Sequence, residues 1–360
     1  MTLLAGNIFA QTNPSEIIEN SLQSIGGKKE IAKVRNLWGF ADCEGPNGKY
    51  TTEISSAKSG KLIFKQIRDS NVYIGQANAQ IFWTKDEKNN DFSLADNRTA
   101  FIWRSHDFQF LAMEIDARFK DFSFAGEESF GGKTSLKLNA TDELGNPASI
   151  FFDKETRLLL GFTIQNPFDK TEMIRTTFNE WRQIGKLKLP SKVTATDKKG
   201  DFVLNFREII LNKTNEKVFA VPSKVSAMNE IATLLKQARV AHFTRNANLL
   251  VSTFAEDFTS ISGGKISKPS REASLNRFQN YLKNSTFIEW DDITPPIIKV
   301  SDDASMAYAF VYKKVRLLAK DENGKEQEET EVFAWAEIYR KIKNEWKLVA
   351  VISTNTPEKD

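Results

Sequence analysis

The feature that most constrains this chain is a succession of short apolar runs between residues 37 and 206. The runs are rich in β-branched and aromatic residues, and Gly, Asn and Asp separate them. This spacing is typical of strands joined by tight turns, and it predicts an antiparallel sheet built from hairpins. The clearest turns are Glu143–Pro147 and Lys198–Asp201, where turn-forming residues cluster.

Two segments of this half have helical spacing instead. Ser15 is the predicted N-cap of a first helix, which Gly26 and Gly27 end. In Asp107–Phe122 the apolar residues recur at intervals of three and four, so we expect one helix inside the β domain. They are Phe108, Leu111, Ala112, Ile115, Phe119 and Phe122.

The second half begins near Val221–Ser223 and has a different order of elements. Three helices are predicted first, and a run of long strands follows, which indicates an α+β layout with helices on one face of a sheet. Ser270 is the predicted N-cap of the third helix. We expect domains at 12–222 and 227–360, and helices at Met228–Arg245, Ala247–Phe254 and Ser270–Leu282.

Composition excludes several functional classes. The chain has 360 residues with a net charge of +3, but only two His and one Cys. A zinc finger is excluded, and neither a metal nor a cofactor is predicted. Positive charge forms no continuous block, so nucleic acid is not an expected partner. No apolar run has the length of a membrane helix, so we expect a peripheral association with membranes at most.

Residues 1–11 resemble the end of a secretory signal peptide, because a short apolar run leads to the small residue Ala10. The charged segment that normally precedes such a run is missing, which a start site placed too far downstream would explain. We expect the protein to be exported, with a periplasmic location in a bacterial cell. The alternative is a frayed N-terminus of a cytoplasmic protein.

Residues 15–222 resemble the LolA/LolB-like family of outer-membrane lipoprotein carriers. The similarity lies in the order of turn and packing motifs, which are Ser24–Gly27, Glu128–Lys133, Phe152–Leu159, Trp181–Pro190 and Phe219–Pro222. None of these motifs is catalytic. The resemblance implies an antiparallel half-barrel packed around helices, whose concave face holds acyl chains.

Residues 227–355 resemble the SnoaL-like, nuclear transport factor 2-like superfamily. The motifs are Thr253–Phe258 after the second helix, Ser270–Glu272 at the start of the third, and a final hairpin from Tyr339 to Thr354. The resemblance implies an α+β cone of curved sheet closed by helices, with a pocket at its wide end. An acid in such a nonpolar cone can act as a general base.

Candidate ligand contacts in the first half come from the phenylalanine-rich segment Phe101–Phe130. Of the 27 Phe in the chain, 20 lie in residues 1–224, and this side chain brings bulk without a polar group. We predict that its helix lines or covers an apolar concavity. The alternative is that these side chains fill the core. The predicted contacts are Phe108, Leu111, Ile115, Phe119 and Phe122.

Three residues of the second half are candidate bases. Asp257 would end the second helix, as it also does in non-enzymatic relatives. His242 lies near the apolar face of the first helix, where a packing role is the alternative. Glu337 shares one face of its strand with Phe333, Trp335 and Tyr339. If that face lines the cone, burial should raise the pKa of Glu337, and if it is convex the carboxylate is solvated.

Three functions follow from these patterns. The first is non-catalytic binding of a hydrophobic small molecule or lipid at the cell envelope, with Phe333, Trp335 and Tyr308 as further ligand contacts. The second is an isomerase, cyclase or hydratase in the cone that uses Asp257, Glu337 or His242. The third is a protein-interaction module that forms a homodimer through the sheet of the second half. Fold resemblance does not choose among them.

Overall fold

The computed structural model describes residues 13–320 and 325–354. The predicted signal segment, residues 1–11, lies outside this described part. Within it, no helix combines the length and the apolar character needed to cross a membrane. The described chain is mostly antiparallel sheet with few helices.

The chain divides into two compact units. The first contains residues up to Asp91 together with Ala95–Ala220, and the second contains Phe92–Leu94 and the residues from Val221 onward. We call them the first and the second domain. The helices are α1 (Pro14–Ser24), α2 (Lys28–Ile31), α3 (Asn97–Ser105), α4 (Phe108–Met113), α5 (Ile115–Arg118), α6 (Ser223–Phe243), α7 (Ala247–Val251) and α8 (Arg271–Asn284), with a 3-10 turn at Glu216–Phe219.

The strands of the first half form consecutive antiparallel hairpins. They are β1 (Asn36–Gly45), β2 (Gly48–Ala57), β3 (Lys61–Arg68), β4 (Asn71–Asn78), β5 (Ile81–Asp86), β6 (Asp91–Leu94), β7 (Lys120–Phe130), β8 (Lys133–Thr141), β9 (Pro147–Asp153), β10 (Leu159–Asn166), β11 (Asp169–Ile184), β12 (Leu187–Asp197) and β13 (Gly200–Leu211). Their order across the first domain is β5-β4-β3-β2-β1-β13-β12-β11-β10-β9-β8-β7. The pair β1–β13 therefore joins two hairpin series, in which sequence neighbours are also neighbours in space.

One face of this sheet is buried, because successive side chains of a strand point to opposite faces. In β1 the buried face carries Leu37 and then three small residues, namely Gly39, Ala41 and Cys43. The other face carries Trp38 and Phe40, which are half-buried. Helices α3, α4 and α5 follow β6 in the chain and contribute large side chains to the same core.

Two helix predictions in the first domain were wrong in detail. Helix α1 begins at Pro14, and its N-cap is Asn13, whose Oδ1 accepts the N–H of Ser15 at 3.0 Å. Asp107–Phe122 is not one helix. The backbone leaves the helical region at Glu114, which separates α4 from α5, and Lys120 starts β7. Pairing of β7 with β8 satisfies the backbone there, so sheet formation overrides the helical spacing.

The second domain has a sheet of six strands in the order β15-β14-β19-β18-β17-β16. All neighbouring strands are antiparallel except β14 and β19, which are parallel. Helices α6, α7 and α8 supply one side of its core, and alternate residues of the sheet supply the other. The strands are β14 (Phe254–Ser262), β15 (Lys265–Ser267), β16 (Ser285–Val300), β17 (Met306–Lys320), β18 (Glu326–Ile342) and β19 (Glu345–Thr354).

The three helices predicted for this domain are present, but their bounds differ from the predicted ones. Helix α6 starts at Ser223 rather than Met228. The second predicted helix was too long, because α7 ends at Val251 and Phe254 already pairs with β19. The N-cap of α8 is confirmed, since Ser270 Oγ accepts the N–H of Ala273 at 3.1 Å.

Candidate functional site

A cavity of about 570 Å³ opens within the first domain. We call it the first-domain cavity. Its walls come from β2, β3, β4, β11, β12 and β13 and from the end of α3, so residues distant in the sequence surround one space. Most of the wall is apolar or aromatic. The apolar wall includes Ile54, Leu62, Phe64, Ile102, Trp103, Ile174, Leu204 and Phe206.

Glycines allow the residues that form the wall of this cavity to pack closely. Gly75 on β4 lies so close to the wall that an added Cβ would approach Phe64 Cε1 to 2.4 Å and Trp103 to 3.0 Å. Glycine at this position therefore lets the Phe64 and Trp103 rings pack edge to face, with centroids 5.5 Å apart. Gly39 on β1 acts similarly, since a Cβ there would meet Ile54 at 3.2 Å.

Residues of the hairpin turns surround the opening of the cavity and are more polar. Arg68 donates from Nη1 to the carbonyl of Asn47 at 3.3 Å, and its guanidinium lies 5.1 Å from the centre of the Tyr50 ring. Burial raises the pKa of Tyr50, so its hydroxyl stays protonated. Phe168 is 54% exposed, which leaves an aromatic ring in solvent at the opening. The other residues there are Asn71, Asn166, Asp197 and Lys199.

One imidazole interrupts the apolar wall. His106 follows α3 directly, and its Nδ1 lies 2.7 Å from the carbonyl oxygen of Ile102. Burial lowers the pKa of His106, although the carboxylate of Asp197 acts in the opposite direction. The ring is therefore neutral near pH 7.

The ligand contacts predicted for the first domain lie in its core instead. Phe108, Leu111, Ile115 and Phe119 are at most 3% exposed, and none of them is among the residues that line the first-domain cavity. Phe122 is half-buried on β7 and packs against the same core. The predicted contacts on the short helices α4 and α5 are thus buried in the core of the first domain.

Sequence reasoning missed the residues that do line the cavity. They alternate along three strands, as Tyr50, Thr52 and Ile54 on β2, as Leu62, Phe64, Gln66 and Arg68 on β3, and as Phe202, Leu204 and Phe206 on β13. The alternation is visible in the sequence and would have placed these residues on one face. It does not reveal that this face encloses a space.

The interior of the second domain contains a different arrangement, centred on Glu337. This side chain is 8% exposed and faces the helices. Its Oε1 accepts the indole N–H of Trp335 at 2.7 Å, and its Oε2 accepts the hydroxyl of Tyr339. Burial raises the pKa of Glu337, against the effect of these two donors and of Lys313. Both carboxylate oxygens are therefore occupied by protein groups.

His242 packs beside this cluster. Its ring stacks on Trp290 with centroids 4.3 Å apart, and its Nδ1 lies 2.7 Å from the carbonyl of Ala238. Burial lowers its pKa. The Nζ of Lys313 lies 4.4 Å from the centre of the Trp290 ring and also pairs with Asp292. Aromatic and charged side chains thus fill this part of the interior.

The remaining predicted residues of the second domain fall on different surfaces. Asp257 lies on β14 rather than at a helix end, and its carboxylate pairs with Arg340 at 2.9 Å on the exposed side of the sheet. Phe333 and Trp335 are half-buried and pack against the helix-facing core. Tyr308 points to the opposite face and is 41% exposed. The structure therefore brings Trp335 and Glu337 together but separates them from Asp257 and Tyr308.

No group of three or more His, Cys, Asp or Glu with the geometry of a metal site occurs in the described residues. The first-domain cavity is the candidate ligand site because its wall is largely apolar, and its chemistry is that of apolar contact with few polar groups.

Comparison with known proteins gives partial similarities of fold. No protein-family model and no curated protein matches the chain. A LolA superfamily protein from Nitrosomonas europaea is 10% identical over 58% of this chain and 98% of its own, with a TM-score of 0.43. A nuclear transport factor 2-like protein of unknown function in nutrient uptake from Rhodospirillum rubrum is 17% identical over 35% of this chain and 98% of its own, with a TM-score of 0.29.

A nuclear transport factor 2-like protein of unknown function from Pseudomonas putida is 13% identical over 36% of this chain and 86% of its own, with a TM-score of 0.29. These matched structures fall in the same two groups that the two halves of the sequence resemble. At these identities the similarity concerns the fold alone.

Proposed function

We propose that the first domain binds a hydrophobic small molecule or lipid in the first-domain cavity, without catalysis. The observation that carries this proposal is the cavity of about 570 Å³ with its largely apolar wall, which falls in the range of small-molecule sites in proteins. Its polar groups lie chiefly at the opening, where they can orient the polar end of an amphiphile. In this proposal the sheet acts as a half-barrel whose concave face holds the ligand.

The driving force is removal of apolar surface from water, worth about 25 cal/mol for each Å² buried. Rings such as Phe64 and Trp103 hold the wall in a fixed shape, so the ligand does not have to order it on binding. Tyr73 and Phe168 at the opening are 44% and 54% exposed. A bound chain would cover part of this surface.

Native mass spectrometry of gently purified protein tests the proposal, and we expect a copurified mass that delipidation removes and added lipid restores. Ile102→Glu places a charge on the cavity wall and should abolish uptake. Ile184→Glu is the matched control, because both isoleucines are partly buried against the same core but only Ile102 lines the cavity. If the delipidated wild-type protein takes up no lipid, the proposal is wrong.

Export to the cell envelope is a further part of this proposal. Its support is the sequence of residues 1–11. Fractionation of cells that express the protein from its native gene should recover it in the periplasm with a processed N-terminus. Recovery in the cytoplasm with an unprocessed N-terminus would favour the alternative.

A second candidate function is homodimer formation through the second domain, which we propose to be cone-shaped. The supporting observation is an apolar strip on the face of β16 and β17 that points away from the helices. Cross-strand partners Ile297 and Phe310 form its centre, and such patches mark interaction surfaces. The strip contains Ile293, Ile297, Met306, Tyr308, Phe310 and Tyr312, each between 41% and 55% exposed.

Light scattering at several concentrations tests the dimer. Phe310→Glu should shift the protein to monomer, whereas Ile266→Glu on β15, where Ile266 is 72% exposed, should leave the dimer intact. A wild-type monomer at every concentration would exclude this function.

A further inference from the structure

His106 is a polar group with an unused hydrogen-bonding position in the wall of the first-domain cavity. Its Nδ1 lies 2.7 Å from the carbonyl oxygen of Ile102, and a carbonyl oxygen can only accept. Nδ1 must therefore carry the proton, and in the neutral ring Nε2 then presents a lone pair. The backbone of α3 thus fixes the imidazole as an acceptor.

No residue of the described chain donates a hydrogen bond to this Nε2. The ring contacts the Ile102 carbonyl, Ser105 Oγ at 3.4 Å from Nδ1, and the Phe108 ring at a centroid distance of 5.4 Å. The ring is half-buried and lines the cavity, and Nε2 is not among the fully enclosed polar atoms that lack a partner. Nε2 therefore keeps surface that water or a ligand can reach.

An acceptor that faces an apolar space loses its hydrogen bond with water when a ligand displaces that water, and this loss opposes binding. A ligand that brings its own donor avoids the loss. We infer that the first-domain cavity selects an aliphatic molecule with a neutral hydrogen-bond donor, such as a hydroxyl or an amide N–H, and that His106 Nε2 accepts from it. This inference rests on the proposed function, because it names the ligand class of the same cavity.

A pair of isomeric probes separates the inference from the proposed function. Decanol and methyl nonyl ether contain the same atoms, but only decanol has a donor. Titration of the delipidated full chain should show that decanol binds about fivefold more tightly, which is the effect of one ordinary hydrogen bond. If both probes bind equally, the inference fails and the proposed function stands. If neither binds, the proposed function fails together with the inference.

The variant His106→Phe tests whether His106 is the acceptor. It should abolish the preference for decanol while the ether still binds. His242→Phe is the matched control, since His242 has the same 2.7 Å contact from Nδ1 to a carbonyl four residues earlier but lies in the second domain. A preference that survives in His106→Phe would overturn the inference.

Nitrogen NMR of the wild type provides a measurement that needs no variant. The chain contains only two histidines, so each imidazole can be followed separately. The ether should shift the Nε2 resonance of His106, because it displaces water without replacing its hydrogen bond, whereas decanol should shift it much less, and His242 should be unchanged by either. An Nε2 resonance of His106 that responds equally to both probes, or to neither, would contradict a hydrogen bond from the hydroxyl.

Discussion

The two domains each contain one histidine with the same backbone contact and different surroundings. In both, Nδ1 lies 2.7 Å from a carbonyl oxygen four residues earlier, which fixes the tautomer. His106 then lines a cavity, whereas His242 stacks on Trp290. The local sequence therefore sets the state of the imidazole, and the residues packed around it decide whether a ligand can reach the second nitrogen.

The interiors of the two domains differ in what their side chains leave open. In the first domain, Ile54 on β2 and Leu204 and Phe206 on β13 line the first-domain cavity, and the small residue Gly39 on β1 lets Ile54 and Phe206 pack closely beside it. The helix-facing side of β18 carries Trp335, Glu337 and Tyr339. The indole N–H of Trp335 and the hydroxyl of Tyr339 both donate hydrogen bonds to the Glu337 carboxylate. The wall of the first domain thus encloses a space, whereas close packing fills the interior of the second domain around Glu337.

The largest expected effect is the loss of unfolding free energy when a buried tryptophan is removed, and it can be compared between the two domains. Trp290→Ala should lower the free energy of unfolding of the second domain by about 3–5 kcal/mol, because the ring packs against His242 and Lys313. Trp103→Ala should cost the first domain less, about 2 kcal/mol, since its ring borders an existing cavity. Hydrogen exchange of β16 and β3 measures each domain separately. Equal losses of unfolding free energy in Trp290→Ala and Trp103→Ala would contradict this difference between the two interiors.

An intermediate effect is expected from enlarging a glycine beside the cavity. Gly75→Ala should destabilise the first domain by about 1–3 kcal/mol and weaken lipid uptake, because the new Cβ forces the Phe64 ring to move. Gly39→Ala should have a smaller effect, since its nearest atom lies at 3.2 Å rather than 2.4 Å. Thermal unfolding and lipid titration report the two effects. If Gly75→Ala takes up lipid as the wild type does, the packing of Phe64 against Gly75 does not affect ligand binding.

The smallest effect concerns the pH dependence of the second domain. Burial raises the pKa of Glu337 in the folded protein above its ordinary value of 4.5. Its stabilising contribution is therefore complete below 4.5 and is lost as the pH rises through the folded pKa. Glu337→Gln cannot ionise and should remove this loss, so the variant should be more stable than wild type at neutral pH.

Thermal unfolding between about pH 4 and about pH 8 measures this difference. Glu345→Gln is the control, because the Glu345 side chain is 71% exposed and its removal should leave the pH dependence unchanged. Parallel curves for wild type and Glu337→Gln would show that the buried carboxyl does not titrate differently on folding.

Much of the fold could be predicted from local patterns. Turn residues at Glu143–Pro147 and Lys198–Asp201 mark hairpins that the structure contains, and Ser270 caps its helix as expected. Asp107–Phe122 could not be predicted by spacing alone, because its last residues pair with β8. Helix α3 was missed although Asp96 caps it by accepting the N–H of Thr99 at 2.8 Å.

Less of the candidate site than of the fold could be predicted from the sequence. Glu337 was placed correctly on the face of Trp335 and Tyr339, because alternation along one strand is a local property. Which face points inward was left open, and only the packing of the helices on the sheet decides it. The first-domain cavity depends on six strands and on the space between them, so no single segment carries its signal.

The position of β19 has a consequence for biosynthesis. This strand lies between β14 and β18 and forms a parallel pair with β14, about 90 residues earlier in the chain. The ribosome must release residues 345–354 before the sheet of the second domain is complete. Until then β14 and β18 expose unpaired edges, at which nascent chains can associate. The first domain, whose pair β1–β13 is complete at Leu211, can fold while the rest is still being translated.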